Sequence, residues 1–210
     1  MSQVTLYGPP QSSYVRTARM TLHEKGVDYE LRPVKLGSDD HRALHPYAKV
    51  PILDHGDVRI WETNAIARYV DDAFDGPPLT PATPAARAKM EQWISALDCY
   101  MYDAGVRNYA LQYIFPRGAD GTPNRAVIDE SIPKLTRDLE LLDAAYADSE
   151  WIAGDALSLG DLFVAPYVQT VAMFPEAAAV LERCRNLSRA FAALQARDSY
   201  ARATPPRPAP

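Results

Sequence analysis

Cysteine is scarce in this 210-residue chain: Cys99 and Cys184 lie far apart and form no C-x-x-C pair. That spacing excludes a dithiol redox motif and predicts two buried or inert thiols in a reducing compartment. Long apolar runs are missing too. No stretch is long enough to cross a bilayer, and the first residues read as a strand rather than as a secretion signal. Positive charge is in deficit, with 22 Lys and Arg against 27 Asp and Glu and a net charge of −5. A surface for nucleic acid or anionic membrane relies on clustered cations, so neither partner is expected. No G-x-G-x-x-G or GK[ST] loop occurs, which removes the glycine-cradled nucleotide sites. What remains, at 47% hydrophobic and 23% charged residues, is a cytoplasmic acidic enzyme or binding protein with one or two cores.

Proline, by contrast, is plentiful and marks the boundaries. Gly76 to Pro84 reads "GPPLTPATP", four prolines in nine residues, which suits an extended linker with no packed element. Before it, elements alternate. Val4 to Leu6 reads as a strand, Ser13 to Lys25 as a helix ended by Gly26, and "VDYELRPV" as a second strand. A short helix follows around Asp39 to Leu44, then two strands about a His-Gly-Asp turn, then a helix in "ETNAIARYVDDAF". The order βαβαββα predicts an α/β domain with a mixed sheet. After the linker the pattern is all-α. Ile128, Ile132, Leu135, Leu139, Leu142 and Tyr146 form an apolar stripe at helical spacing, with Pro133 set to kink the helix or shift its start. Ser158 and Asp161 have the spacing of a capping box, with Leu157 and Leu162 placed as its staple. The predicted division is residues 1–77, a linker at 78–85, a helical domain at 86–203 and a loose tail at 204–210, ordered, if at all, by packing.

Chemistry gathers at three places. "PPQSS" puts Ser12 and Ser13 where the first strand hands over to a helix. A helix N-terminus offers unpaired N–H groups and the positive end of the peptide dipole, so it favours an anion such as a thiolate, and a hydroxyl adds a donor. A simple cap is the alternative role for one of the two serines. "KVPIL" places Pro51 at the start of a strand, where a cis Val50–Pro51 bond would leave the Val50 backbone free to pair with an extended peptide. "WETNAIARY" sets Glu62 and Thr63 at another helix N-terminus, suited to an ammonium and a carboxylate. Lys49 supplies a cation for a second carboxylate. His41 and His45 stand at i,i+4 without a third ligand; they read as solvated helix residues, and no metal is expected.

These stretches together, with "HPYAKVPIL" and "WIAGDALSLGDLFVAPY", resemble the cytosolic glutathione transferases over nearly the whole chain. The resemblance implies a thioredoxin-like N-terminal domain, an all-α C-terminal domain, and glutathione as co-substrate, a tripeptide with two carboxylates, one amine and one thiol. It implies Ser12 as the catalytic serine of a serine-type enzyme, since Ser12 follows Gly8 by four residues in the phi-like spacing. Ser13, adjacent, and Tyr7, at the end of the first strand, stay open as alternatives. Lys49 resembles the glycyl-carboxylate contact, Val50 the backbone clamp on the cysteinyl unit, Pro51 the cis-proline, and Glu62 and Thr63 the γ-glutamyl pair. That pair is usually Glu-Ser, so Thr63 is a departure that keeps the hydroxyl and adds a methyl. A cysteine-type enzyme is not implied, because "PPQSS" has no Cys.

The second partner is expected to be a small hydrophobic electrophile. Tyr7, Tyr100, Arg107, Tyr109 and Tyr113 are candidates for its pocket, although a helix this aromatic also packs against its neighbours. The resemblance further implies a homodimer. Two other functions stay open: a non-catalytic glutathione carrier or protein-interaction module, and a glutathione-dependent isomerase, dehalogenase or peroxidase.

Overall fold

Four short strands, with apolar and polar residues on opposite faces, build the first half of the molecule. The computed structural model describes residues 3–116, 118 and 120–205; of the loose tail expected at 204–210, residues 206–210 lie outside them, while Thr204 is hydrogen-bonded to Arg16 and to the Tyr200 carbonyl. The strands and helices run β1 (Val4–Tyr7), α1 (Ser13–Glu24), β2 (Glu30–Arg32), α2 (Asp39–Leu44), β3 (Ile52–His55), β4 (Val58–Trp61) and α3 (Thr63–Ala73). The sheet order is β2-β1-β3-β4. β1 and β2 are parallel, and the other pairs antiparallel, as the βαβαββα reading predicts. Leu6 faces Leu31 and Leu53, and Leu53 faces Ile60, so one apolar row crosses the sheet. Val15, Ala18 and Leu22 of α1 and Ile66 and Val70 of α3 close over that row. The neighbouring row, Glu30, Thr5, Asp54 and Arg59, points to the other face because successive strand residues alternate.

The chain divides into two compact units, Met1–Thr80 with Ala196–Pro210, and Pro81–Gln195. The sequence reading placed residues up to 203 in the helical half. Instead the last helix returns to the first unit, because its residues pair with α1 as described below. The linker also differs from expectation. Leu79 is buried and its N–H donates to Asp71 at 2.9 Å, while Lys25 pairs with Asp71 at 3.1 Å and donates to the Pro77 carbonyl. A buried ion pair thus holds the start of the proline-rich segment against the first unit.

The second unit contains α4 (Pro84–Ala96), a π-helical segment (Leu97–Ala110), α5 (Leu111–Ile114), α6 (Arg125–Ala145), α7 (Leu159–Ala172), α8 (Pro175–Arg183) and α9 (Arg185–Gln195); α10 (Asp198–Ala203) belongs to the first. The α6 stripe is buried at Ile128, Leu135, Leu139, Leu142 and Tyr146. Pro133 sits inside α6, eight residues after its start, on the exposed face. Ser158 and Asp161 form the capping box of α7. Asp161 is fully buried, and also accepts from the Tyr146 hydroxyl at 2.9 Å and the Ile152 N–H at 2.8 Å. The π-helical segment was not foreseen. At its middle a Cβ on Gly105 would lie 2.4 Å from the Tyr167 hydroxyl oxygen, so only glycine lets α7 approach this closely.

Candidate active site

The glycine that ends β1 brings the pieces of the site together. Gly8 has φ +142°, and a Cβ there would meet Val15 Cγ2 at 2.5 Å and Val50 Cβ at 3.1 Å. With no side chain at position 8, the first turn of α1 and the Val50–Pro51 segment pack against the same point of the backbone. Ser12 is the N-cap of α1, with extended backbone (φ −63°, ψ 128°), and its Oγ accepts from the Val15 N–H at 3.4 Å. Capping uses a lone pair on that oxygen and leaves the O–H proton to donate elsewhere. Cap and thiol donor are therefore compatible roles. Ser13 is the first helical residue, and its carbonyl accepts from the Thr17 hydroxyl.

Val50–Pro51 is cis, and β3 begins only at Ile52. Ala48, two residues before Val50, is left-handed at φ 48°. His41 ties this segment to α2. It is fully buried, its Nδ1 accepts from the Gly37 N–H at 3.1 Å, and its Nε2 lies 3.0 Å from the Lys49 carbonyl. Since Nδ1 accepts, Nε2 carries the proton and donates. His45 is 1% exposed; its Nδ1 accepts from the Tyr47 N–H at 3.1 Å and its ring stands 5.1 Å from that of Trp61. Burial pushes the His45 imidazole below its ordinary value, with Glu62 opposing. The expectation that both histidines are solvated is thus corrected: the chain folds each imidazole inward as a backbone tie. Among the described residues no group of three His, Cys, Asp or Glu gathers as a metal site would require.

Glu62 and Thr63 open α3. Glu62 is exposed in the left-handed region (φ 74°), an unusual setting for a residue with a side chain, and Thr63 is buried as the first helical residue. Local strain of this kind costs on the order of 1–3 kcal/mol and concentrates at ligand sites.

Tyr7 is differently placed. It alternates with Leu6, so it lies on the sheet face away from the α1–α3 core, and its hydroxyl donates to Asp54 at 3.1 Å. Arg59 grips the same carboxylate through two bonds of 2.7 Å and, with Tyr7, holds Asp54 below the ordinary carboxylate range.

The electrophile candidates in the second unit separate into two pairs. Tyr100, 74% exposed, and Arg107 line an open cleft of about 690 Å³ between the π-helical segment and α6, with Arg107 paired to Asp103 at 3.1 Å. Tyr109 and Tyr113 do not line it. Tyr109 is fully buried; its hydroxyl donates to Glu176 at 3.0 Å and accepts from the Ala177 N–H. Tyr113 stacks on Phe174 at 4.4 Å and donates to the same carboxylate. Both serve as packing and hydrogen-bond residues there. Cys99 is exposed and Cys184 buried.

Comparison with known proteins decides the family. The N-terminal domain model of glutathione S-transferase matches residues 2–72, and the C-terminal domain model matches residues 95–198. Glutathione S-transferase 4 of Zea mays is 32% identical over 200 residues, covering 92% of this chain and 88% of that protein. Glutathione S-transferase III in its apo form superposes with a TM-score of 0.88 at 30% identity, covering all of both chains. Glutathione S-transferase-I bound with lactoylglutathione superposes at 0.85 with 28% identity, over 97% of this chain and 99% of that one. The chain belongs to the glutathione S-transferase family.

The glutathione S-transferase fold explains why the site pieces recur together: a mixed four-stranded sheet with flanking helices, followed by a largely helical unit. The enzyme is a transferase with glutathione as co-substrate. No helix among the described residues is long and apolar enough to cross a membrane. Three features of its site escaped the sequence reading: the double contact at Gly8, the His41 tie to Lys49, and the left-handed Glu62. Of these, Gly8 carried a signal, as a glycine directly after a strand. The other two arise from where the fold places them.

Proposed function

We propose that this glutathione S-transferase holds the glutathione sulfur as a thiolate with the Ser12 hydroxyl and the opening turn of α1. The observation that carries this is the Ser12 cap, whose acceptor side faces Val15 N–H and whose proton is left to donate. Tyr7 is disfavoured because its hydroxyl serves a carboxylate already paired with Arg59. Ser13 is disfavoured because it stands inside the helix and not at the cap. Stabilising the thiolate lowers the thiol from about 8.5 toward neutrality, and binding then sets the nucleophile against its electrophile.

In this reading the Val50 backbone pairs with the cysteinyl unit beside cis-Pro51, Glu62 and Thr63 take the γ-glutamyl ammonium and carboxylate, and Lys49 takes the glycyl carboxylate. Tyr100 and Arg107 are the retained candidates on the side of a small hydrophobic electrophile. A cytoplasmic homodimer completes the proposal, on family resemblance.

Ser12→Ala tests it. With a chromogenic nitroaryl halide, kcat/KM at neutral pH is expected to fall about 100-fold, while calorimetry shows glutathione still bound within a fewfold of the native affinity. Full turnover in the folded variant would overturn the assignment and move the test to Ser13 and Tyr7.

A further inference from the structure

We propose, resting on the glutathione reading above, that His41 is a positioning residue for Lys49. Through it the enzyme prefers a thiol peptide that carries a carboxylate beyond the cysteine over one that ends there. His41 lies in α2, and its imidazole is fully buried although Asp39, Asp40 and Arg42 beside it are exposed. Burying an imidazole is favourable only when its ring nitrogens are paired, and both are. Nδ1 accepts from the Gly37 N–H at 3.1 Å, and Nε2 donates to the Lys49 carbonyl at 3.0 Å. One neutral tautomer thus stands between two loops.

The two loops depend on that ring unequally. Gly37 has other supports. Its carbonyl accepts from the Arg42 guanidinium, the Ser38 N–H closes a turn onto the Lys35 carbonyl at 3.1 Å, and Ser38 caps α2 by accepting from the His41 N–H at 3.2 Å. Lys49 has fewer. Before it, Ala48 donates to the His45 carbonyl at 2.9 Å and turns the chain with a left-handed φ of 48°. After it, Val50 packs against the Gly8 backbone, and the cis bond leads into β3, where Ile52 pairs with Tyr7. Lys49 lies between these fixed points, and among the described residues the His41 ring is the one group that bonds its main chain.

The Lys49 side chain is exposed and makes no ion pair among the described residues, so its ammonium is open to a ligand carboxylate. A lysine carries that charge on a flexible four-carbon stem, and where the charge goes is set by the main chain at its root. Fixing the carbonyl fixes that root and removes part of the ordering cost that binding would otherwise meet. The other glutathione contacts do not pass through this tie. Val50 is placed by Gly8 and β3, and Glu62 and Thr63 by the junction of β4 with α3. Loss of His41 therefore falls on the glycyl end, and a preference between two peptides is a difference of their affinities.

The test uses the full-length enzyme with His41→Ala, His41→Gln and His41→Asn, beside Lys49→Ala. It compares glutathione with γ-glutamylcysteine, which lacks the glycyl carboxylate. KM and kcat are measured with a saturating nitroaryl halide, and binding by calorimetry. His41→Ala is expected to raise the glutathione KM about fivefold to tenfold, with kcat held within about twofold and the γ-glutamylcysteine KM raised less than about twofold. A glutamine amide nitrogen reaches the place of Nε2, so His41→Gln recovers most of the loss. An asparagine amide oxygen takes the place of Nδ1 and serves Gly37 alone, so His41→Asn recovers little. A folded His41→Ala with an unmoved glutathione KM, with equal rises for both peptides, or with its loss in kcat overturns the proposal. If His41→Ala does not fold, equal behaviour of His41→Gln and His41→Asn overturns it. Lys49→Ala separates this proposal from the reading beneath it. A preference lost with Lys49→Ala and kept with His41→Ala sinks only His41, whereas a preference kept with Lys49→Ala sinks the glycyl-carboxylate assignment and this proposal with it.

Discussion

Ser12, Gly8 and His41 show three degrees of legibility at the scale of the residue. Ser12 could be found from sequence because a cap is a local event: a hydroxyl residue before a helical run satisfies its N–H groups whatever the rest of the chain does. Gly8 was half legible, since the need for glycine was visible but the reason was not. Its backbone meets Val15 and Val50, residues 7 and 42 positions further on, and only the packed sheet puts them there. Gly8→Ala is expected to cost on the order of 2–4 kcal/mol, from a left-handed φ combined with a clash against a stiff valine. Urea denaturation at neutral pH measures it, and a midpoint unchanged within error would refute the packing argument. His41 was misread, because its sequence neighbours are polar and its burial comes from the return of Lys49 onto α2. His41→Ala is expected to leave the Lys49 carbonyl without its donor and to weaken glutathione binding about fivefold to tenfold, read by calorimetry on the folded variant.

Whole elements were read well where one residue pattern suffices. The α6 stripe and the α7 capping box were both legible, the first from period and the second from a four-residue signature. What the box does was not. Asp161 accepts from the Ser158 N–H and hydroxyl at 2.9 and 2.7 Å, and also from Tyr146 and Ile152, so it joins α6, α7 and the turn between them. Ser158→Ala is expected to cost about 1 kcal/mol. Asp161→Ala, which leaves several buried donors without an acceptor, is expected to cost about 3 kcal/mol or more. Denaturation of both variants decides it, since equal losses would reduce Asp161 to an ordinary cap. The π-helical segment had no sequence signal. Its apolar spacing looks helical, and the close approach of α7 at Gly105 is a long-range contact that spacing does not reveal.

At the scale of the molecule, acid stability follows from two groups of opposite charge type. Burial, with Arg202 and Arg19, pushes the His23 imidazole from 6.5 down to about 4. A depressed histidine binds its proton more readily in the unfolded chain, so its contribution is whole above about pH 6.5 and is lost as pH falls toward 4. Glu176 is half-shielded, and burial alone would raise it. The bonds from Arg125, Tyr113 and Tyr109 prevail and hold it at about 2 instead of 4.5. Its contribution is present above about pH 4.5 and is lost as pH falls toward 2. Melting temperature measured from pH 8 to pH 3 is therefore expected to fall in two stages, and His23→Gln to remove the first. A single drop below pH 4.5 in the native enzyme would contradict the His23 account.

The division between units belongs to this scale as well. Sequence order suggested a helical half reaching residue 203, yet α10 joins the first unit through Arg16, Arg19 and Glu24. By itself the sequence determined the element order, the mixed sheet, the Ser12 cap and the stripe of α6, because each depends on neighbours within a few residues. Tertiary structure alone decided which hydroxyl serves a carboxylate, which histidines are buried, and which end of the chain packs along α1. Those outcomes depend on contacts between residues as far apart as Arg16 and Thr204, and no local pattern encodes a distance in space.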